Sequence, residues 1–352
     1  MPIEIKRTSS ETLIRDIINK IAVGPNRGKN IKKQEAYRAT MNLLDGELNE
    51  AQAAIFLIGL RMKSESMLEY AGIFKALQEN TPQVDIDLPN LVYLADPFDG
   101  YSRTTPITPY VPAVLASCDI YCVMQGVHSV GPKFGLTAHQ NYAANGLPVD
   151  LTIEQASEKL LDPNCGWSYL DQAQTNPKLN DLKIFRDTIV KRTALTTLER
   201  LLLPIKAKSN YLALGYVHTA YPKVYAGISI LAGFDRALFV KGIEGGICPH
   251  LNKPLRTYDV INKKLSKKSI DATPIELMHL SSGSTTRRSI KLAHISDVIS
   301  QPKSIKYQQL VSTCSLILSK NKDIPLNRAL LLVKTALEDG EAEKRFSAFK
   351  LK

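Results

Sequence analysis

The sequence predicts an α/β protein in which a small N-terminal helical bundle domain precedes a larger α/β domain with a mostly parallel central sheet. Two patterns predict it. The first segment reads as helices in series with short turns, and from about residue 90 short apolar runs alternate with helix-like segments. Such alternation is typical of a parallel sheet covered by helices. We expect a helical domain over 1–85, with 179–204 packing on it, and an α/β domain over 86–178 and 205–352.

The helices of the first domain have recognisable starts. A Ser, Thr or Asn followed three residues later by Glu or Gln can close a capping box. Three such pairs precede helix-like stretches: Thr8 with Glu11, Asn49 with Gln52, and Ser66 with Glu69. The stretch EAQAAIFLIGLRMK is apolar all round its centre, which indicates a buried helix. Together these stretches predict a helical bundle.

The rest of the chain alternates between strand and helix patterns. The apolar runs that predict strands are 91–95, 120–124, 211–217 and 236–241. The segments that predict helices between them are 107–117, 136–145, 153–161 and 222–233. Residues 179–204 read as one long helix, and 261–291 read as an irregular, lysine-rich surface segment. The tail over 304–350 reads as helical with a break at Gly340.

Composition limits the class of protein. The 352 residues carry a formal net charge of +11, and the hydrophobic content of 44% is ordinary for a globular protein. No apolar run approaches the length of about 18 residues that a membrane span needs, and the N-terminus lacks the apolar core of a signal peptide. We therefore expect a cytoplasmic protein with no membrane partner. The positive charge suits a polyanionic partner, although it can also be spread over solvated faces.

The first candidate site follows the apolar run 91–95. A strand, a polar turn and a helix start form the arrangement in which many α/β enzymes hold a phosphate. The residues of this stretch that can shape the turn or contact an anion are Asp99, Gly100, Arg103, Thr104 and Thr105. The pattern predicts a site-facing loop, and the alternative is a plain turn whose Asp-Gly pair sets its geometry.

A second glycine-containing loop, VMQGVHSVGPKFG, spans 123–135. Gly126 frees the backbone, Lys133 can bring a point charge to a phosphate, and His128 can donate a hydrogen bond. Further on, Arg186 stands on a predicted helix, from which an arginine can fork onto a carboxylate or phosphate. The alternatives are a glycine-rich loop without function and a salt-bridged surface arginine. The loop VKGIEGGICPH, 240–250, has Glu244 as its only carboxylate, and its single Cys and His are too few for a zinc site.

Basic clusters offer a different kind of site. Their residues are Arg27, Lys29, Lys32 and Lys33 in the first cluster, Lys263 and Lys264 in the second, and Arg287 and Arg288 in the third. Together they predict a surface that binds nucleic-acid phosphates with little sequence preference, because no base-reading module accompanies them. The alternative is a set of solvated loops.

Four stretches carry a resemblance to a known family. They are GELNEAQAAIFLIGLRMKSESMLEYAGIFKAL, FRDTIVKRTALTTLERLLLP, AGFDRALFVKGIEG and LNRALLLVKTALEDGEAEKRFSAF. In this order they resemble the anthranilate phosphoribosyltransferase family, also called glycosyltransferase family 3, over nearly the whole chain. The resemblance implies a cleft between the two domains and a homodimer formed through the helical domain. It also implies phosphoribosyl pyrophosphate as a ligand and magnesium as a cofactor.

The chain departs from the family at its signatures. Asp96-Pro97-Phe98-Asp99-Gly100 replaces a Gly-Thr-Gly-Gly-Asp loop, and Met124–His128 replaces Lys-His-Gly-Asn-Arg. The family's magnesium-binding Asp-Glu pair corresponds to Ile247-Cys248, whereas Arg186 matches the arginine that contacts anthranilate. The pattern is similar to a divergent paralogue branch outside tryptophan synthesis, for which nucleic-acid binding has been proposed.

Three hypotheses follow from the resemblance and the charge. The first is pentosyl or phosphoribosyl transfer to an unidentified acceptor, in which Arg103 and Lys133 hold phosphates, Arg186 holds the acceptor, and His128 is a hydrogen-bond donor. The second is a non-catalytic, nucleic-acid-binding homodimer on the same scaffold. The third is a sensing or structural homodimer with neither activity. Fold similarity alone does not choose among them.

Overall fold

A computed structural model describes residues 8–24, 27–280, 292–299 and 301–350. The N-terminal helices form the predicted bundle: α1 (Ser9–Ile21), α2 (Lys33–Leu44), α3 (Glu50–Lys63) and α4 (Met67–Glu79). The capping boxes at Thr8, Asn49 and Ser66 are all present. Helix α4 packs closely on α2 because Gly72 carries no side chain; a Cβ there would lie 2.3 Å from the Lys33 carbonyl oxygen.

The strands confirm the mostly parallel sheet. Their bounds are β1 (Val84–Asp85), β2 (Leu91–Ala95), β3 (Cys122–Gly126), β4 (Trp167–Asp171), β5 (Ile205–Lys206), β6 (Asn210–Tyr216), β7 (Arg236–Lys241), β8 (Leu255–Ile261) and β9 (Lys264–Ile270). In the described part of the chain, seven of them form one sheet in the order β4-β3-β2-β6-β7-β8-β9. The pairs from β4 to β7 are parallel, while β8 and β9 are antiparallel. Strands β1 and β5 pair separately in parallel.

Helices cover both faces of the sheet. Their bounds are α5 (Val111–Ala116), α6 (Ala138–Ala144), α7 (Ile153–Leu161), α8 (Gln172–Thr175), α9 (Pro177–Asp181), α10 (Lys183–Ile189), α11 (Ala194–Leu198), α12 (Tyr221–Ala232), α13 (Pro274–Leu277), α14 (Ile295–Ile299), α15 (Ile305–Asn321), α16 (Leu326–Glu338) and α17 (Glu341–Ala348). Side chains of β2 alternate between two cores: Leu91 and Tyr93 join one that includes the helical bundle, and Val92 and Leu94 join the other beside α15–α17. The carboxyl ends of the parallel strands therefore lie at one edge, between these layers.

Two sequence predictions are wrong. Residues 179–204 do not form one helix. Helix α10 ends at Ile189, because Val190 after it has a φ of +60° that is incompatible with an α-helix, and α11 starts only at Ala194. The segment 261–291 is not irregular throughout, because β9 pairs with β8 from Lys264 to Ile270. Its side chains are mostly exposed, and its lysines are typical of an edge strand.

Segment 179–204 contacts the helical bundle, since α11 packs against α4 and α10 against α3. Asn176, just before it, donates to the Leu77 carbonyl at 3.0 Å. The domain boundaries themselves stay a prediction. Arg287 and Arg288 lie outside the described residues. Within the described ranges, no helix combines the length and the apolar character needed to cross a bilayer.

Candidate functional site

The two predicted loops converge at the carboxyl ends of β2 and β3. Tyr101 and Leu136 exchange backbone hydrogen bonds of 2.8 and 2.9 Å, and the Gly135 N–H donates to the Asp99 carbonyl at 2.9 Å. Gly100 has a φ of +74°, and a Cβ there would lie 2.4 Å from the Gly135 backbone. Glycine is therefore required at this turn, because a side chain would force the two loops apart.

Residues 102–104, here called the donor loop, surround the carboxylate of Glu244. Its Oε2 accepts the Ser102 backbone N–H at 3.0 Å, and its Oε1 accepts the Arg103 backbone N–H at 3.0 Å. The Thr104 hydroxyl donates to Oε1 at 2.9 Å, and the Ser102 hydroxyl to Oε2 at 3.3 Å. Successive backbone N–H groups that converge in this way form an anion-binding concavity.

Glu244 is buried yet favours its charged form. Its side chain is only 3% exposed, and Lys133 Nζ lies 3.5 Å and Arg103 Nε 3.8 Å from Oε2. Burial raises the pKa of this carboxyl, but donors from Ser102, Thr104 and Arg103 and the charge of Lys133 lower it more, so that the pKa is held below its usual value. The donor loop and its cations thus stabilise a negative group.

Asp99 is the second carboxylate of the cleft. Its side chain is 1% exposed and accepts a hydrogen bond from Arg192 Nε at 2.9 Å. Lys133 Nζ lies 3.8 Å from Asp99 and 3.5 Å from Glu244, so it stands between the two carboxylates. The cations of the cleft are therefore engaged by the protein's own acidic groups.

Asp96 lies behind these groups and accepts a hydrogen bond of 2.8 Å from the Tyr101 hydroxyl. Burial raises the pKa of the Asp96 carboxyl to about 6, against lowering by hydrogen bonds from Tyr101 and Thr108. The carboxyl therefore gains and loses its proton close to neutral pH.

The carboxylates do not fit a magnesium site held by the protein alone. Mg²⁺ needs open oxygen ligands in octahedral geometry, whereas Asp99 and Glu244 face Lys133, Arg192 and the donor loop. In the parts of the chain that the structure describes, no three His, Cys, Asp or Glu side chains are grouped so as to hold a metal.

Two histidines lie close together, His128 in the loop after β3 and His139 on α6. The exposed ring of His128 packs edge-to-face on His139, with 4.9 Å between the ring centroids. His139 Nδ1 lies 2.7 Å from Asp171 Oδ2, which also accepts the Tyr169 hydroxyl at 2.9 Å. Gly126 makes room for this arrangement, because a Cβ there would lie 2.8 Å from the Tyr169 hydroxyl. A histidine oriented by a carboxylate can accept and return a proton, so His139 joins the candidate residues.

Arg186 has a partner inside the protein. Its guanidinium forks onto Glu199 with distances of 2.7 and 2.9 Å, and both side chains are almost fully buried. The Thr196 hydroxyl accepts a further bond at 3.3 Å. The acceptor-binding role of Arg186 stays a prediction, and the geometry shows a buried ion pair in its place.

Arg200 holds the cleft loops together. Its guanidinium donates to the carbonyls of Ala95 at 3.0 Å, Gly215 at 3.2 Å and Gly245 at 3.4 Å. These carbonyls stand near the carboxyl ends of β2 and β6 and in the Glu244 loop. Beside Thr104 and Thr105 a crevice of only about 10 Å³ remains, which is about the room for one water.

The two basic clusters within the described residues lie at the surface. Arg27, Lys29, Lys32 and Lys33 are all exposed where α1 connects to α2, and Lys263 and Lys264 are exposed at the β8–β9 turn. A separate pocket of about 220 Å³ is lined by Lys241, Pro249, His250, Lys253, Pro254, Leu255 and Arg256. Burial, Lys253 and Lys241 all lower the pKa of His250, which indicates a positive local field.

Sequence comparison finds a family model and several proteins that are similar to this chain. A family model described as glycosyl transferase family, helical bundle domain, matches residues 15–81. An uncharacterised protein of Aquifex aeolicus is 28% identical over 231 residues, covering 64% of this chain and 67% of that protein. An anthranilate phosphoribosyltransferase of Sphingopyxis alaskensis is 26% identical over 221 residues, covering 63% of this chain and 64% of that protein. The chain thus spans about two thirds of the length of these curated relatives.

A solved structure similar over almost the whole length is anthranilate phosphoribosyltransferase (TrpD) from Thermus thermophilus, with a TM-score of 0.73, 17% identity, and coverage of 96% of this chain and 98% of that one. The enzyme from Saccharomyces cerevisiae in complex with PRPP and Mg gives a TM-score of 0.76 at 14% identity, covering 96% and 97%. At these identities the likeness is one of fold.

Proposed function

We propose that this chain, which carries the helical bundle domain of the glycosyl transferase family and resembles anthranilate phosphoribosyltransferases in fold, binds a phosphorylated pentose in its cleft and transfers the pentosyl or phosphoribosyl group to an acceptor other than anthranilate. The observation that carries the proposal is the donor loop, whose N–H and hydroxyl groups converge on one anionic group. A concavity of this kind suits a phosphate as well as a carboxylate.

The proposed chemistry is one of position and charge. Departure of a diphosphate from a ribose carbon leaves negative charge on the leaving group, and preorganised donors stabilise that charge. The backbone of Ser102 and Arg103 would donate to the phosphate oxygens, and Lys133 would neutralise them. His139, oriented by Asp171, and the neighbouring His128 are the groups proposed to exchange a proton with the acceptor.

The acceptor is proposed to differ from anthranilate because of Arg186. The family resemblance gives this arginine the contact with anthranilate, but here the buried Glu199 takes both of its forked hydrogen bonds. Releasing it would leave a buried, unpaired carboxylate, which is costly. Magnesium would in this proposal arrive with the diphosphate, since Mg²⁺ commonly binds through substrate phosphates.

Calorimetric titration with phosphoribosyl pyrophosphate, with and without Mg²⁺, tests the proposal. We expect a dissociation constant below about 1 mM, weakened at least about tenfold in Lys133→Gln, which loses a charged contact to the phosphate. Lys75→Gln is the control, because Lys75 lies on α4 and pairs with Glu79 at the surface. No heat at millimolar ligand, in either condition, would remove the proposal.

A second candidate function, nucleic-acid binding, is favoured by a basic strip along the sheet edge. Lys263 and Lys264 stand at the β8–β9 turn, and Lys267 and Lys268 follow on exposed β9. Lys268 pairs with Thr257, next to Arg256 of the basic pocket, so the strip leads from the turn to that pocket. A row of cations of this kind follows a phosphodiester backbone without reading bases.

An electrophoretic shift assay with random single-stranded DNA over a salt series tests this second candidate. Each phosphate neutralised contributes about 0.7 to the slope of log affinity against log salt. Replacing Lys264 and Lys268, which are four residues apart on β9 and therefore on one face, by Gln should lower the slope by about 1.4. Replacing Arg27, Lys29, Lys32 and Lys33 by Ala tests the other cluster. An absence of any shift at low salt would dispose of this candidate.

We also propose a homodimer formed through the helical domain and residence in the cytoplasm. Apolar side chains are exposed on α3 and α4, including Met62 at 79% and Leu68 at 61%. The five cysteines all lie in the described ranges, where they are free and buried, which suits a reducing compartment.

A further inference from the structure

The anion position of the donor loop is occupied by the chain's own carboxylate. Glu244 receives hydrogen bonds from two backbone N–H groups and two hydroxyls, and two cations lie within 4 Å. Its backbone has a φ of +51°, in the left-handed region that side-chain-bearing residues seldom adopt. A strained backbone conformation persists only where the surrounding structure holds it. The hydrogen bonds and cations around the Glu244 carboxylate therefore help to hold the residue in place.

The backbone of the Glu244 loop is fixed against the sheet. A Cβ on Gly246 would lie 1.7 Å from the Tyr101 hydroxyl, and a Cβ on Gly215 would lie 1.8 Å from the Gly246 carbonyl oxygen. Arg200 also binds the Gly245 carbonyl. The backbone has little room to move, so any release of the anion position must come from rotation of the Glu244 side chain. The Arg103 side chain beside it is 68% exposed, so the carboxylate lies just beneath the surface.

We propose that Glu244 is an internal competitor for the donor loop, so that a phosphate-bearing ligand binds only by displacing it and Glu244 selects di- and polyphosphate groups over weaker anions. The inference rests on the proposed function, since it concerns the same anion site. A tethered carboxylate acts at a high effective concentration, which excludes anions that bind weakly. A diphosphate brings more charge and more acceptor oxygens to Lys133 and Arg103 than a carboxylate does, and can therefore replace it.

Glu244→Gln tests the inference. The glutamine amide has nearly the same shape as the carboxylate but no charge. Its NH₂ group cannot accept a hydrogen bond, so one pair of donors in the donor loop loses its acceptor. Titration of inorganic pyrophosphate and of phosphoribosyl pyrophosphate into both proteins should show affinity raised at least about tenfold in the variant, because a hydrogen bond to a charged group is stronger than one to a neutral group. Glu11→Gln is the matched control: Glu11 also accepts a backbone N–H, from Thr8 at 2.9 Å, but lies on α1.

The outcomes separate the inference from the function on which it rests. Tighter binding in Glu244→Gln and not in Glu11→Gln supports both. Equal binding by the unaltered chain and Glu244→Gln overturns the inference and leaves the proposed function standing. Absence of binding by either protein at millimolar ligand overturns the proposed function, and the inference falls with it.

A second measurement uses the unaltered chain, in case Glu244→Gln does not fold. With ¹³C-labelled glutamate, the Glu244 carboxyl signal should titrate below the usual glutamate pKa without ligand, because the donor loop stabilises the charge. Saturating pyrophosphate should move the signal and return its pKa towards the usual value. Binding of pyrophosphate with no change in this signal overturns the inference.

Discussion

At the scale of single residues, Asp96 has a titration point set by its burial. Its carboxyl has a pKa raised from 3.8 to about 6 by burial, which outweighs hydrogen bonds from Tyr101 and Thr108. Between pH 3.8 and about 6, the Asp96 carboxyl is therefore mostly protonated in the folded state and mostly ionised in the unfolded state. Stability from this group is complete below pH 3.8 and is lost as the pH rises through about 6.

Asp96→Asn should flatten this dependence, because the amide is neutral throughout. From the shift, the free energy of unfolding of the unaltered chain should fall by roughly 2 to 3 kcal/mol more than that of the variant between pH 4 and 7. Urea unfolding at closely spaced pH values measures the difference. Asp87→Asn serves as the control, because its carboxyl is exposed. Parallel pH profiles for Asp96→Asn and the unaltered chain would contradict the prediction.

Arg186 and Glu199 carry a second prediction at this scale. Arg186→Met should lower the free energy of unfolding by about 3 kcal/mol or more, because it leaves a buried carboxylate unpaired. Arg186→Met combined with Glu199→Met should recover most of that loss, since both charges are then gone. Denaturant unfolding of the single and double variants measures the coupling. A single variant as stable as the unaltered chain would mean that the arginine is free for an acceptor.

At the scale of elements, glycine packing between α2 and α4 is open to a matched test. Gly72→Ala places a methyl group 2.3 Å from the Lys33 carbonyl oxygen, which is backbone and cannot yield cheaply. Gly227→Ala in α12 meets only the end of the Met67 side chain, at 2.4 Å, and that side chain is flexible. Gly72→Ala should therefore cost about 1 to 3 kcal/mol, whereas Gly227→Ala should be close to neutral. If both variants lost similar amounts of unfolding free energy, the contact between α2 and α4 would not explain the cost of Gly72→Ala.

The elements also show what the sequence can and cannot predict. Helices with capping boxes, such as α1 and α3, were predictable because the signal lies within four residues of the helix start. The break after α10 was not, because Val190 takes a left-handed φ that its residue type disfavours. Strand β4, WSYLD, was missed because it is buried on both faces and mixes polar with apolar residues, so no periodicity marks it.

At the scale of the whole molecule, the candidate site was predictable only in part. The loops with Asp99 and Lys133 could be placed together because both follow strands of one parallel sheet. The contact between Glu244 and Ser102 joins residues 142 positions apart, and Arg192 reaches Asp99 across 93 positions. No local pattern specifies which carboxylate fills a concavity of donors, so the position of Glu244 in the donor loop could not be predicted without the fold.

Self-association belongs to the whole molecule as well. Ile55 and Met62 are seven residues apart on α3 and therefore on one face, and Leu68 lies in the first turn of α4. All three are exposed, at 42%, 79% and 61%. Exposed apolar side chains are typical of interaction surfaces when they form one patch, and these three all lie on helices of the N-terminal bundle. We expect the chain to sediment as a dimer.

Leu68→Glu with Met62→Glu should shift the chain to monomer, because the dimer would then bury two unpaired charges from each protomer. Leu331→Glu is the matched control: Leu331 is 55% exposed but lies on α16, in the other part of the molecule. Sedimentation velocity over a range of concentrations distinguishes the two variants, with circular dichroism as a check on folding. A double variant that dimerises as tightly as the unaltered chain would place the interface elsewhere, and an unaltered chain that stays monomeric would remove the proposed dimer.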